Sequence, residues 1–474
     1  MRRLPNLIPS ALAALAALLI ADASAAGVRL IERPGQTTAV RAVVQIDGTI
    51  RTHDLGGKTK ENPLQATARF GFLETRLRDA ALSGGAVSAS EAIQDASQLR
   101  AVRNYIEAEA EITVAGQRTT TALPEDSRRI VVEGRAEGPI KFAPDTLLMR
   151  EAVDLLDMPG DPLALAALLP DPAREYEVGD SWTPPDWAAQ MLCSIDAAAT
   201  SELQCTLKAV ADGRATIEVS GRVEGARLGA YSKINLAGLM ALDLDAQLID
   251  SASFNYSESA EIGTITPGVL STTSVRLARK ASAKTVDTDG VPVTVPPEAL
   301  RLFFDAGLWN VRFQHGRDWH VYFAQLDRDP KVIILRRLDG GNLQCQCNLA
   351  SIPAAAAGSH TPLDEFERDI RSTLGSRFEQ IVSRDEIPGE GGVRIFRTEV
   401  QGQFADEAAE PGQTEGRAMT WTYFLIAAPD GRQLSAIFAY EPDAAAKLGE
   451  EDIAMVRSIE FFPVAAAGTQ STRR

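Results

Sequence analysis

A chain of 474 residues with 45% hydrophobic and 24% charged residues is globular in composition and too long for one ordinary hydrophobic core, so two domains are expected. Its formal net charge of −16 and pI near 4.9 give a surface that repels phosphate backbones and anionic headgroups. Nucleic-acid binding is thereby excluded from the expected functions.

Arg2 and Arg3 precede an apolar run, "LIPSALAALAALLIA", and Ala23 and Ala25 then supply a small-x-small pattern. This order predicts a secretory signal peptide over residues 1–25. No later stretch is long and apolar enough to span a bilayer, so the mature chain is expected to be periplasmic or extracellular.

Residues 26–280 read as an antiparallel β-rich domain. "GGKT" at 56–59 lacks the first glycine of a phosphate loop and reads as a plain loop. In "NYIEAEAEITV" (104–114), Ile106, Ala108, Ala110, Ile112 and Val114 alternate with Glu107, Glu109 and Glu111, which predicts a half-buried strand. Leu148, Ala152 and Leu155 follow helical spacing within 144–160, and a second short helix is expected over 162–169. Residues 204–221 form a hairpin turned by Asp212-Gly213, and 239–259 form another. Cys193 and Cys205 are expected to form a disulfide, stabilising by about 2–4 kcal/mol, because an exported chain meets oxidising conditions.

Residues 281–299 hold a proline-rich linker, and 300–464 alternate strands with helices. "GGNLQCQCNLA" (340–350) reads as a strand with Leu343, Cys345, Cys347 and Leu349 on one apolar face, expected to meet the helix "TPLDEFERDIRSTLG" (361–375). In that helix Thr361 is the expected cap, and Leu363, Phe366, Ile370 and Leu374 the buried stripe. Strands at 378–385 and 393–400, a hairpin over 419–440 turned at Pro429-Asp430-Gly431, and a helix at 450–457 follow; 465–474 should fray. The fold class is α+β: a curved, half-barrel-like antiparallel sheet with helix plugs, then an α/β sandwich on an antiparallel sheet.

The helix at 361–375, the hairpin "TWTYFLIAAPDGRQLSAIFAY" and the closing "DIAMVRSIEF" together resemble the PsbP-like fold. The first domain is similar to uncharacterised secreted bacterial proteins of the planctomycete type, through "LLDMPGDPLALAALLP" (155–170) and "YEVGDSW" (176–182). A half-barrel like that of the lipoprotein carrier LolA is an architecture this likeness allows. PsbP-like domains are mostly accessory or binding modules, so the resemblance implies binding or assembly, not turnover.

Hydrolase motifs such as Gly-x-Ser-x-Gly and His-Glu-x-x-His do not occur. "HGRDWH" (315–320) pairs His315 with His320, the latter expected on an exposed strand face. Asp243 and Asp245 are expected on one strand face, and with Glu258 they are the carboxylates a secreted hydrolase would use. Cys345 and Cys347 are too far apart on an extended strand for a bond and read as core residues. No metal, cofactor or catalytic set is expected, and no ligand-binding residue is assigned. The leading expectation is an exported, non-catalytic binding or carrier protein of the cell envelope that holds an apolar small molecule in its first domain. The alternative is a structural protein that docks an envelope partner through its second domain.

Overall fold

A computed structural model describes residues 27–53, 57–77, 93–135, 138–404 and 416–463. The expected leader and fraying tail lie outside the described residues, among which no helix is long and apolar enough to cross a membrane.

The first sheet grows from long runs rich in Thr, Val and Ala. Its chain segments are β1 (Thr37–His53), β2 (Thr59–Arg76), β3 (Arg100–Val114), β4 (Gln117–Ala122), β5 (Arg129–Glu133), β6 (Ile140–Phe142), β7 (Leu148–Met149), β8 (Ser181–Trp182), β9 (Ala197–Ser201), β10 (Gln204–Ala211), β11 (Arg214–Arg227), β12 (Ala230–Asp243), β13 (Leu248–Ala260) and β14 (Gly268–Ala281). All except β7 join one open 13-stranded sheet, in the order β6-β5-β3-β2-β1-β14-β13-β12-β11-β10-β8, with β4 beside β3 and β9 beside β11. Of "GGKT", Gly56 lies outside the described residues, and Thr59 opens β2 opposite His53. Asp212 and Gly213, at φ 51° and 74°, make the tight turn between β10 and β11.

Three helices cover one face: α1 (Arg150–Leu156), α2 (Pro162–Leu165), which continues as a 3-10 turn to Leu168, and α3 (Asp186–Cys193). No residue from Leu163 to Leu168 is more than 5% exposed, so the helices fill this face as solid core. The helix expected over 144–160 is shorter because Leu148 and Met149 pair as a strand with Leu302 and Phe303. The alternation expected in β3 breaks at a bulge opposite Gly71 and Phe72. The extra residue is Ile106, which is 66% exposed; Arg103 and Tyr105 point into the core before the bulge, and Ala108 after it.

A line of buried charges crosses the same face. Arg103 donates through Nε to Glu74 at 2.8 Å and through Nη1 to Asp161 Oδ2 at 2.9 Å, and its Nη2 donates to Asp161 Oδ1. Arg279 links Glu74 (3.6 Å) to Glu32 (2.5 Å), and Arg76 meets Glu32 at 3.2 Å. Towards the other side, Lys141 lies 3.5 Å from Asp161 and 3.6 Å from Asp157, which accepts from Arg227 at 3.1 Å. Burial pushes the Asp161 carboxyl up, but Arg103 and Lys141 outweigh it and hold the group below the ordinary carboxylate range. Asp161 also accepts the Leu163 amide at 2.9 Å, so the residue that caps α2 bolts it to β3.

The second half contains β15 (Arg301–Ala306), β16 (Val311–Gly316), β17 (Trp319–Gln325), β18 (Val332–Asp339), β19 (Asn342–Ile352), β20 (Phe378–Pro388), β21 (Arg394–Phe404), β22 (Arg417–Ala427), β23 (Gln433–Tyr440) and β24 (Glu460–Phe461), with α4 (Leu363–Leu374), α5 (Ala445–Leu448) and α6 (Glu451–Arg457). Seven strands form a sheet in the order β17-β18-β19-β23-β22-β21-β20. Phe366, Ile370 and Leu374 of α4 pack on one face with Trp421, Tyr423 and Leu425. Leu363 is 40% exposed and drops out of the expected stripe. Thr361 does not cap α4; its amide donates to Gln433 Oε1 at 2.7 Å, and Pro362 occupies the cap position.

Cys345 and Cys347 lie on the other face, with Trp319, Phe424, Phe438 and the α6 residues Met455 and Val456. The expected contact with the 361–375 helix is corrected: α4 covers the opposite side of the sheet. The Cys193–Cys205 disulfide is also corrected, because both thiols are free and buried. Cys193 closes the unanticipated helix α3, while Cys205 pairs with Val219 and Trp182 inside the sheet. Each packs as a small apolar residue, and burial pushes both thiols up to about 12.

The halves are joined by backbone. β7 runs parallel to β15 in a small sheet ordered β24-β16-β15-β7. Arg336 donates to the Thr264 carbonyl at 2.6 Å. The turns at Gly229 and Gly341 touch so closely that a Cβ on Gly341 would sit 2.4 Å from the Gly229 Cα.

Two outcomes are expected. Asp161→Ala should cost about 3–5 kcal/mol in urea unfolding, because it leaves Arg103 with Glu74 as its remaining carboxylate and takes a partner from buried Lys141, whereas Asp161→Asn, which keeps an acceptor in place, should cost less. Thiol titration of denatured, unreduced protein should find four reactive cysteines, and a count of two would restore the bridge.

Candidate functional site: an apolar cavity at the edge of the helix layer

The titratable groups beneath the helices are committed to one another. One cavity, of about 410 Å³, opens at the edge of the layer, within the usual range of small-molecule sites. Leu30 and Ile31 line it from the N-terminal segment, Ala166, Ala167 and Leu169 from the end of the α2 turn, and Tyr176, Trp182 and Pro184 from the following loop. Pro170 and Pro172 stop the helical run, and Pro184 and Pro185 hold the strand after Trp182 extended. Trp182 Nε1 donates to the Leu168 carbonyl at 2.8 Å, and Tyr176 exchanges two backbone hydrogen bonds with Val28, each of 2.9 Å. Their rings stand 5.4 Å apart, a preformed aromatic wall. Glu32 reaches the cavity but already accepts from Arg76 and Arg279. Gln94, Asp171 and Thr183 also line it, so the cavity is mixed in character: its aromatic and aliphatic wall can receive an apolar group, its rim is polar, and its one buried carboxylate is neutralised.

The residues singled out from sequence do not converge here. Asp243 ends β12, and its Oδ1 accepts the amides of Asp245 (3.1 Å) and Ala246 (2.8 Å), so it shapes a turn in which Asp245 lies instead of sharing a strand face with it. Glu258 accepts from Ser232 at 2.7 Å and sits at the far end of the β12–β13 hairpin from Asp243, so the three carboxylates form no pair. His360 stacks near Phe396, with ring centroids 4.5 Å apart. Among the described residues, no group of three His, Cys, Asp or Glu side chains could hold a metal ion. Sequence reasoning missed Tyr176 and Trp182 as a site. The signal was the proline-rich, aromatic-flanked stretch after an uninterrupted apolar run, which it used only as a resemblance.

"HGRDWH" turns between two sheets at the junction: His315 is the next-to-last residue of β16 and His320 the second of β17. His320 is half-buried, against the expected exposed face. His315 is 0% exposed, its Nδ1 lies 2.8 Å from the Gly316 carbonyl, and its Nε2 has no partner. Burial pushes His315 down to about 4 and His320 down to about 3, and Arg150 adds to both shifts. An unfolded histidine takes up its proton near pH 6.5 and these folded ones do not, so the unfolded chain binds more protons below that pH. Stability should therefore be full above about pH 6.5 and fall as the pH drops towards 4. Asp154, which burial pushes up to about 6, opposes this with a single group. Thermal unfolding from pH 4 to 8 should show the fall, and His315→Gln/His320→Gln should flatten it; an unchanged slope would assign the acid sensitivity elsewhere.

No family profile and no curated protein sequence matches this chain. Among solved structures it is similar to cyanobacterial PsbP from Synechocystis sp. PCC 6803, at 12% identity, over 38% of this chain and 99% of that one, with a TM-score of 0.25. It is also similar to MucB in complex with MucA, at 10% identity over 90% and 94% of the two chains, with a TM-score of 0.16. A loop-deletion mutant of OmpT, an outer membrane protein of Vibrio cholerae, matches at 9% identity over 86% and 99%, with a TM-score of 0.15. All three scores are below 0.5, so these likenesses transfer no activity, and what stands is a chain of mostly antiparallel sheets, consistent with the α+β class.

Proposed function

We propose that this chain is an exported, non-catalytic binding protein of the cell envelope that takes an apolar group into the cavity walled by Tyr176 and Trp182. The observation that carries this reading is the fixed aromatic wall beside a packed helix layer: the sheet face is filled, so binding is left to the edge. The mutual pairing of Glu32, Glu74, Asp161 and their arginines supports a structural role for the buried charges, not turnover. Export is supported by the N-terminal order of Arg2-Arg3, apolar run and small residues.

A second reading, docking of an envelope protein through the seven-stranded sheet, is favoured by its edges. β17 and β20 are the unpaired outer strands, and Phe323 (44%) and Val382 (48%) stand exposed on them.

Native mass spectrometry of the protein from its own host tests the first reading. The mature mass should lack about 25 residues, and a bound apolar molecule should be seen. Trp182→Ala should weaken binding of a fluorescent apolar probe at least about tenfold, while Trp182→Phe retains most of it. A full-length mass removes export. No probe binding, together with a stoichiometric partner recovered through β17 or β20, would replace the first reading with the second.

A further inference from the structure

A second cavity, of about 280 Å³, opens where the halves meet. Arg135, Lys141, Arg150, Arg227 and Arg317 line it, against the carboxylates of Asp154, Asp157 and Asp196. This is a local reversal of sign in a chain of net charge −16. The carboxylates are mostly engaged: Asp157 serves Arg227 and Lys141, and Asp196 accepts the Leu228 amide at 2.5 Å. Among the described residues, Arg150 and Arg317 have no ion-pair partner. Both are held from one side by main-chain carbonyls. Arg150 Nη2 donates to the carbonyls of Arg317 and Trp319, and Arg317 Nη2 donates to those of Lys141 (2.8 Å) and Ala299 (3.1 Å). The Nε of each is buried without a partner. Burial pushes the Arg317 guanidinium down to about 10, and the like charges of Arg150 and Arg135 add to that shift.

Arg135 already meets Glu133 at 3.4 Å, and Arg150 draws only on the nearby charges of Asp154, Asp318 and Glu151, none at ion-pair distance; buried guanidiniums held mainly by neutral acceptors gain from an anion in direct contact. Planar N–H forks recognise tetrahedral oxyanions through paired hydrogen bonds. We infer that the cleft between Arg135, Arg150 and Arg317 binds a compact phosphoryl group, and so links the first sheet to the turn between β16 and β17. The volume suits a small oxyanion better than a drug-sized ligand. This site is separate from the apolar cavity and stands or falls independently of it.

Isothermal titration of the full chain with inorganic phosphate, at constant ionic strength against chloride, tests the inference. One saturable site is expected. Arg135→Gln, which removes a half-exposed guanidinium, should weaken it at least about fivefold, and Arg317→Lys at least about tenfold. Asp154→Asn should tighten binding by removing a like charge from the ligand's surroundings, a change that a purely structural cluster would not show. Vesicles containing phosphatidylglycerol separate the sources: binding displaced by free phosphate and lost in Arg317→Lys identifies a lipid headgroup, whereas phosphate binding without vesicle binding identifies a soluble ligand. No heat beyond the chloride control, or equal affinity in the wild type and all three variants, overturns the inference.

Discussion

Arg103 and Asp161 form the bidentate pair on which the first half depends. Arg103 is rooted in β3 and Asp161 begins α2, so the pair fixes the helix layer to the sheet at one point and in one register. A buried pair of this kind adds little net stability over an apolar substitute, but breaking it strands a charge. Its contribution is therefore directional. The apolar residues from Leu163 to Leu168 could slide over a greasy sheet; Asp161 specifies where they stop. The same carboxylate stands within a chain of charges that runs one way to Lys141 and Asp157 and the other way to Glu32, which lines the cavity beside Trp182.

From that bolt the rest of the architecture follows. Once α2 is placed, Leu168 presents its carbonyl to Trp182, and the aromatic wall takes its position. α1 starts directly after the strand residues that pair with β15, so the helix layer and the second half share a border. At that border the polar contacts run largely from arginine side chains to backbone carbonyls. Those contacts hold geometry while leaving Arg150 and Arg317 without an ion pair among the described residues, beside the ion pairs of Arg227 and Lys141 with Asp157.

Much of the secondary structure was legible in the residues. Asp212-Gly213 marked its hairpin, Pro429-Asp430-Gly431 marked another, and the spacing of Phe366, Ile370 and Leu374 marked α4, because each signal is local and set by turn chemistry or helical period. Ile106 was misread because a bulge changes phase without leaving any mark in a run of alternating apolar and acidic residues. Cys193 was misread because the short helix that carries it is stabilised by tertiary burial, not by strong local spacing. Cys345 and Cys347 were correctly read as core, but not which layer covers them: a strand's pattern states that a face is buried and is silent about by what.

The sequence by itself determined the α+β class, the alternation of most strands, the turns and the acidic surface, since these depend on neighbours within a few residues. Only the tertiary structure decided that the charges at positions 32, 74, 76, 103, 141, 161 and 279 belong to one buried network, that Tyr176 and Trp182 wall a cavity, and that Arg150 and Arg317 face the same cleft. Most of the paired groups are separated by tens to hundreds of residues, and Tyr176 and Trp182, though six apart, are set against each other by partners at Val28 and Leu168. Charge pairing and cavity shape depend on distance in space, which no local pattern encodes.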